Sequence, residues 1–184
     1  MRSLFKVYCL LLLLVLSGVA APSVAAQKIA LKTNALEWLT TSPNIAVETR
    51  ISQRMTIQLG VSGCPFDKYF GDLSLKNYRV DPEIRYWFNR PMARHFIALS
   101  ATATAFTLRH KDRHFKGDAV GIGVSYGYAL VLNDHWNMEV EAGVGLAHVN
   151  AFDYHGDVQP LHKNYSKYLP VPIRLGLSFS YIFK

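Results

Sequence analysis

The stretch "AVGIGVSYGYALVL" (119–132) alternates between two kinds of side chain. Val120, Ile122, Val124, Tyr126, Tyr128, Leu130 and Leu132 are large, whereas Ala119, Gly121, Gly123, Ser125, Gly127 and Ala129 are small. Successive side chains point to opposite faces only in a β-strand, so this period of two specifies a strand with one bulky apolar face and one nearly bare face. Glycine weakens a strand, and its repeated use on one face makes sense where that face looks into a crowded space. The interior of a narrow barrel is such a space. "NMEVEAGVGL" (137–146) repeats the pattern: Met138, Val140, Ala142, Val144 and Leu146 oppose Asn137, Glu139, Glu141, Gly143 and Gly145.

"VDPEIRYWF" (80–88) adds charge to the argument. Val80, Pro82, Ile84, Tyr86 and Phe88 share one face, and Arg79, Asp81, Glu83 and Arg85 share the other. Such a face suits either water or a closed interior whose charges neutralise one another. Alternation predicts eight strands: 29–34, 44–51, 55–63, 78–88, 96–107, 119–132, 136–149 and 171–183. The connections 52–54 and 133–135 are tight and 89–95 is moderate, while 64–77, 108–118 and 150–170 are long. Short turns at one end and long loops at the other are the pattern of an outer-membrane barrel. The predicted fold is therefore all-β, an eight-stranded antiparallel up-and-down transmembrane β-barrel.

The N-terminus fits that destination. Residues 1–26 carry a basic start (Arg2, Lys6), an apolar run from Val7 to Leu16 and small residues ending in Val24, Ala25 and Ala26, which together read as a cleaved secretory signal peptide. The run is shorter than the ~20 residues a spanning helix needs. Domain organisation is then a signal segment, 1–26, and one barrel domain, 27–184. Cys9 leaves with the signal, so Cys64 has no partner for an intramolecular disulfide. The formal net charge of +7 falls to +5 when Arg2 and Lys6 are removed, and the remaining cations are dispersed. Nucleic acid is not an expected partner.

With the odd-numbered residues of 80–88 outward, Lys32, Glu48, Arg50, Asp81, Glu83, Arg85, Glu139, Glu141 and Arg174 are expected to share the lumen. Their nearly balanced signs predict a salt-bridged plug, since an unpaired buried charge costs several kcal/mol. Pro82 cannot donate to a sheet ladder and is expected at a bulge near the outer rim, with Pro170 and Pro172 at a similar level. Aromatic girdles are expected at both interfaces: Phe88, Phe96, Trp136, Tyr181 and Phe183 at the short-turn end, and Tyr78, Phe106, Tyr154 and Tyr168 at the long-loop end. In the final strand, "RLGLSFSYIFK", Arg174, Gly176, Phe179 and Tyr181 resemble the terminal signal that outer-membrane assembly machinery reads.

The pieces "ALKTNALEW", "SPNIAVE", "DPEIRYWF", "GIGVSYGY" and "HWNMEVEAGVGLAHV", in this order, resemble domain-of-unknown-function family 3575, small outer-membrane barrels of the Bacteroidales. The resemblance implies an outer-membrane location and, from relatives encoded near fimbrial or other surface-assembly proteins, a role beside a surface appendage or envelope complex. It supplies no active site. Ala98 stands where relatives often have glycine.

Contact surfaces are expected in the outward loops. Arg109, Lys111, Arg113 and Lys116 of "RHKDRHFKG" suit lipopolysaccharide phosphates and acidic sugars, and Tyr154, Tyr165 and Tyr168 suit protein or glycan recognition. His148, approached by Glu141 and Ser125, is the candidate for a lipid-acting enzyme. His110, His114, His155 and His162 fit no metal-ligand spacing, and neither a metal nor a cofactor is expected. A non-enzymatic structural or interaction role leads; a lipid-acting enzyme and a small-solute channel are the alternatives.

Overall fold

The computed structural model describes residues 28–64, 69–70, 73–110, 113–155 and 160–183, so the expected signal segment and Lys111 lie outside the described residues. In chain order the strands are β1 (Ile29–Asn34), β2 (Asn44–Arg50), β3 (Met55–Cys64), β4 (Tyr69–Phe70), β5 (Leu73–Trp87), β6 (Arg94–His110), β7 (Arg113–Val131), β8 (Trp136–His155) and β9 (Tyr165–Phe183). The two-residue β4 only flanks Leu73 and Ser74 of β5. The other eight form one antiparallel up-and-down ring. β3 pairs with β5, and β1 pairs with β9 from Ile29↔Phe183 to Asn34↔Ser178, which closes the sheet.

The faces sort as the alternation requires. Large apolar residues of all eight ring strands stand on the outer face, among them Leu31, Val47, Ile57, Ile84, Leu99, Ile122, Val144 (69% exposed) and Leu175 (65% exposed). Inside, Glu48, Glu83 and Arg85 are at most 2% exposed. Leaving one such aliphatic side chain in water forgoes roughly 1.5–3 kcal/mol, so a continuous outer belt of them is compatible with a hydrocarbon surrounding.

Two apolar clusters close the short-turn end. Trp87 and Phe96 are fully buried with ring centroids 4.6 Å apart, and the Trp87 indole donates to Thr56 Oγ1 at 2.9 Å. Met92 packs with Ala30 and Ile182. Met92 has a left-handed backbone (φ 62°), and its carbonyl accepts a bond from Asn137 Nδ2 at 2.6 Å. Phe96 is thus an interior residue and not part of the girdle expected for it. Trp136, Tyr181 and Phe183 do cluster at that end, with centroids 5.0–5.2 Å apart.

The walls are unequal in height. β1 and β2 have 6 and 7 residues, while β5 through β9 have 15 to 20. The expected long loop 108–118 is mostly ladder, because β6 and β7 stay paired up to His110↔Arg113. Above the apolar belt the outer face turns polar, with Arg109, His114 and Lys116, so the alternation of an apolar outer face with a small or polar inner one is lost although the backbone bonds continue.

Proline behaves differently from the expectation. Pro82 opposes Leu59 in the β3–β5 ladder, and the β5–β6 ladder leaves Asp81 and Pro82 unpaired with no register shift, so no bulge forms there. The bulge lies between β8 and β9, where Gly143↔Arg174 is followed by Gly145↔Val171, and Pro172 and Ile173 together face Val144. This inserted residue reverses the phase of β9. Above it Tyr165, Lys167, Leu169 and Val171 take inner register positions.

Candidate functional site

Inner faces of β1, β2, β5, β8 and β9 bring the predicted charges together. Arg85 is the hub: its guanidinium contacts Glu83, donates to Glu139 and Glu141 at 2.8 Å each, and lies 3.4 Å from Glu48. It also sits 4.5 Å above the Phe96 ring. Lys32 bridges Glu48 and Glu139, the latter at 2.7 Å. Arg174 reaches Glu83 at 2.7 Å and Asp81 at 3.7 Å. Hydroxyls complete the set, with Ser100 donating to Glu83 at 2.9 Å and Ser125 to Glu141 at 2.6 Å.

Three details depart from the sequence reading. Arg50 is not in the network; its Nε donates to the Ser52 carbonyl at the short-turn rim. Arg79 and Glu37 are in it, paired with each other, and Arg79 also holds Asp81 at 2.7 Å. Arg79 shares the phase of Asp81 and Glu83 and was legible on that ground. Glu37 was not, because it sits on the five-residue helix α1 (Ala35–Leu39), which starts where Asn34 Oδ1 accepts from the Leu36 amide at 3.1 Å. Finally, the signs are unequal. Lys32, Arg79, Arg85 and Arg174 face Glu37, Glu48, Asp81, Glu83, Glu139 and Glu141, which is an excess of carboxylates over cations.

Beside the network lies a cavity of about 150 Å³, with Lys32, Gln58, Asp81 and Arg174 among its lining and Glu37 and Asn44 toward α1. Above it the lumen is apolar. Phe106 stacks on Phe115 at 5.6 Å, and Phe115 meets Tyr165 edge-on at 5.0 Å. Phe106 and Tyr165 therefore line the interior, and neither the girdle role expected of Phe106 nor the loop contact expected of Tyr165 fits.

The outer wall above the belt carries the remaining candidates. Lys76 and Lys116 both pair with Thr107, and Ser74 and His114 both pair with Arg109, so cations occupy adjacent cross-strand rows of β5, β6 and β7. Arg109 and Lys116 are exposed on strands and not on a loop. Arg113 occupies a register position opposite His110 and His155. His114 stacks on Tyr154 at 5.0 Å, and Tyr168 is 76% exposed beside His148. The residues expected around His148 do not approach it. Ser125 and Glu141 bond to each other in the lumen, whereas His148 Nε2 lies 3.0 Å from Ser166 Oγ on the outer wall.

In β9, Arg174 points inward, Gly176 opposes Glu141, and Phe179 and Tyr181 stand on the opposite phase. The closed ring, its charged lumen and this final strand span nearly the whole chain. Over residues 9–183 the sequence matches the family described as protein of unknown function (DUF3575). The chain belongs to DUF3575. No curated protein and no solved structure matches it. Every residue of the Arg85 network and of the outer-wall rows falls within the DUF3575 match, whose description assigns neither an activity nor a ligand.

Proposed function

We propose that this DUF3575 chain is a non-enzymatic barrel of the bacterial outer membrane, exported by a cleaved signal peptide, with a structural or interaction role as an accessory to a surface appendage or envelope complex. The observation that carries the reading is the inverted distribution of side chains: ion-paired charges within and a continuous aliphatic belt outside. A lumen filled by the Arg85 network and capped by Trp87 and Phe96 favours a scaffold over a small-solute channel. The tall wall of β5 to β9 is the contact surface, with lipopolysaccharide phosphates facing Lys76, Arg109 and Lys116 and a protein partner at the level of Tyr154 and Tyr168. Arg174, Gly176, Phe179 and Tyr181 serve the assembly machinery.

The test is co-purification from the native outer membrane with crosslinking, comparing wild type with the triple variant Lys76→Ala/Arg109→Ala/Lys116→Ala. The expected result is a crosslinked partner that falls at least tenfold in the variant, while the heat-modifiable gel mobility of a folded barrel is unchanged. Equal capture by both chains removes this surface from the proposal. Absence of the wild-type protein from outer-membrane fractions removes the location.

The His148–Ser166 distance favours a second reading, an ester hydrolase acting on outer-leaflet lipid. His148 would accept the proton of Ser166 Oγ as that oxygen adds to an ester carbonyl, the departing alcohol would take the proton back, and water would release the acid. Fatty-acid release from phospholipid in mixed micelles should then fall to background in Ser166→Ala. No release by the wild-type barrel ends this reading.

A further inference from the structure

Glu48 and Gln58 are direct cross-strand partners on the inner faces of β2 and β3. Glu48 is fully buried and Gln58 is 5% exposed. Both cations that reach Glu48, Lys32 and Arg85, converge on its Oε2. Among the described residues its Oε1 has no hydrogen-bond partner, and neither has Oε1 of Gln58. Two neighbouring acceptors are thus left without a donor, inside a network whose carboxylates outnumber its cations. Burying an acceptor unsatisfied costs about 1–3 kcal/mol, and more when it is charged.

We propose that the lumen binds one alkali-metal cation, sodium or potassium, on the carboxylate of Glu48 and the amide oxygen of Gln58. The inference uses only the closed barrel and holds whether or not the outer-membrane reading does. Hard cations take oxygen ligands, and a divalent ion of this kind takes six or more. Among the described residues no group of three His, Cys, Asp or Glu side chains is placed to hold a metal. One positive charge also matches the site better than two, because Lys32 and Arg85 already stand on the far oxygen of Glu48. Gln58 opens onto the 150 Å³ cavity, which leaves room for water to complete the shell. Ala46 and Gly60, paired next to Glu48 and Gln58, add no bulky side chain to that room.

The purified barrel, refolded in detergent micelles, tests this by thermal unfolding in sodium, potassium or N-methyl-D-glucamine chloride at equal ionic strength and pH. The large organic cation does not fit the cavity, so the expected result is a midpoint several degrees higher with at least one alkali ion, saturating with its concentration. Line broadening of the ²³Na resonance by wild-type barrel, reversed by potassium, reads occupancy directly and needs no variant. Gln58→Leu should abolish the ion dependence and keep heat-modifiable mobility; Glu48→Gln serves the same purpose if that variant does not fold. Coincident midpoints and an unbroadened ²³Na line overturn the proposal. The Gln58 amide, reversed, would then donate to Glu48, and protons would neutralise the carboxylate excess. Ion dependence that survives in both variants also overturns it, since the ion would bind elsewhere.

Discussion

Replacing Arg85 by methionine is expected to destabilise the barrel by about 3–5 kcal/mol, the usual loss when one partner of a buried ion pair is removed. Methionine keeps much of the volume, so the effect isolates the charge. Arg85 contacts Glu48, Glu83, Glu139 and Glu141, and all of these are at most 8% exposed. Without the guanidinium, Lys32 still serves Glu48 and Glu139 and Arg174 still serves Glu83, whereas Glu141 keeps only Ser125. The measurement is urea unfolding of the barrel in lipid bilayers, followed by intrinsic tryptophan fluorescence. Adding Glu141→Gln to Arg85→Met should recover part of the loss, because it deletes a carboxylate that has lost its cation. A loss below about 1 kcal/mol for the single variant would show that water, not Arg85, compensates these carboxylates.

Valine at Gly123 is expected to prevent stable closure of the barrel, with a cost above the roughly 1–3 kcal/mol of ordinary overpacking. A Cβ there would lie 2.7 Å from Cα of Gly145 and 2.8 Å from Cγ2 of Ile173, with the Val144 carbonyl oxygen closer still. The first and last of these are backbone atoms of the adjacent strand, held in a ladder that runs without shift from Arg113↔His155 to Val131↔Asn137. Shortening Ile173 to alanine should therefore give little rescue. Gly60 is the control. A Cβ at Gly60 meets nothing nearer than 3.6 Å, so Gly60→Ala should stay within about 0.5 kcal/mol of wild type. Loss of heat-modifiable mobility in Gly123→Val but not in Gly60→Ala is the expected outcome on gels. Equal behaviour of the two would mean that the glycine face is not a packing requirement.

These effects follow from features of unequal legibility. The ring of eight strands was readable because Val120 to Leu130 and Met138 to Leu146 alternate over their whole length, and the outer face and the lumen of a closed ring take opposite side chains at every step. Glu48, Glu83, Glu139 and Glu141 were readable for the same reason, each on the phase opposite to a bulky apolar neighbour. Strand ends were not: residues 108–110 and 113–118 intersperse Leu108 and Phe115 among six charged or histidine residues and a glycine, and a paired strand there has the composition of a loop. Glu37 was hidden because a single helical turn has no period to detect.

Sequence by itself determined the eight ring strands, their antiparallel order and the inward phase of β2, β5, β7, β8 and the end of β9, since these depend on local alternation and on short connections. Only the tertiary structure decided what the inward groups meet. The bulge at Pro172 and Ile173 reverses the phase of β9 and turns Tyr165 toward Phe115, a change no alternation rule contains because it arises from pairing with β8. The Glu48–Gln58 neighbourhood and the convergence of four carboxylates on Arg85 likewise need the register across β2, β3, β5 and β8. Register is a property of strand pairs, fixed when the ring closes, and a single strand's pattern carries the face of each residue but not its neighbour.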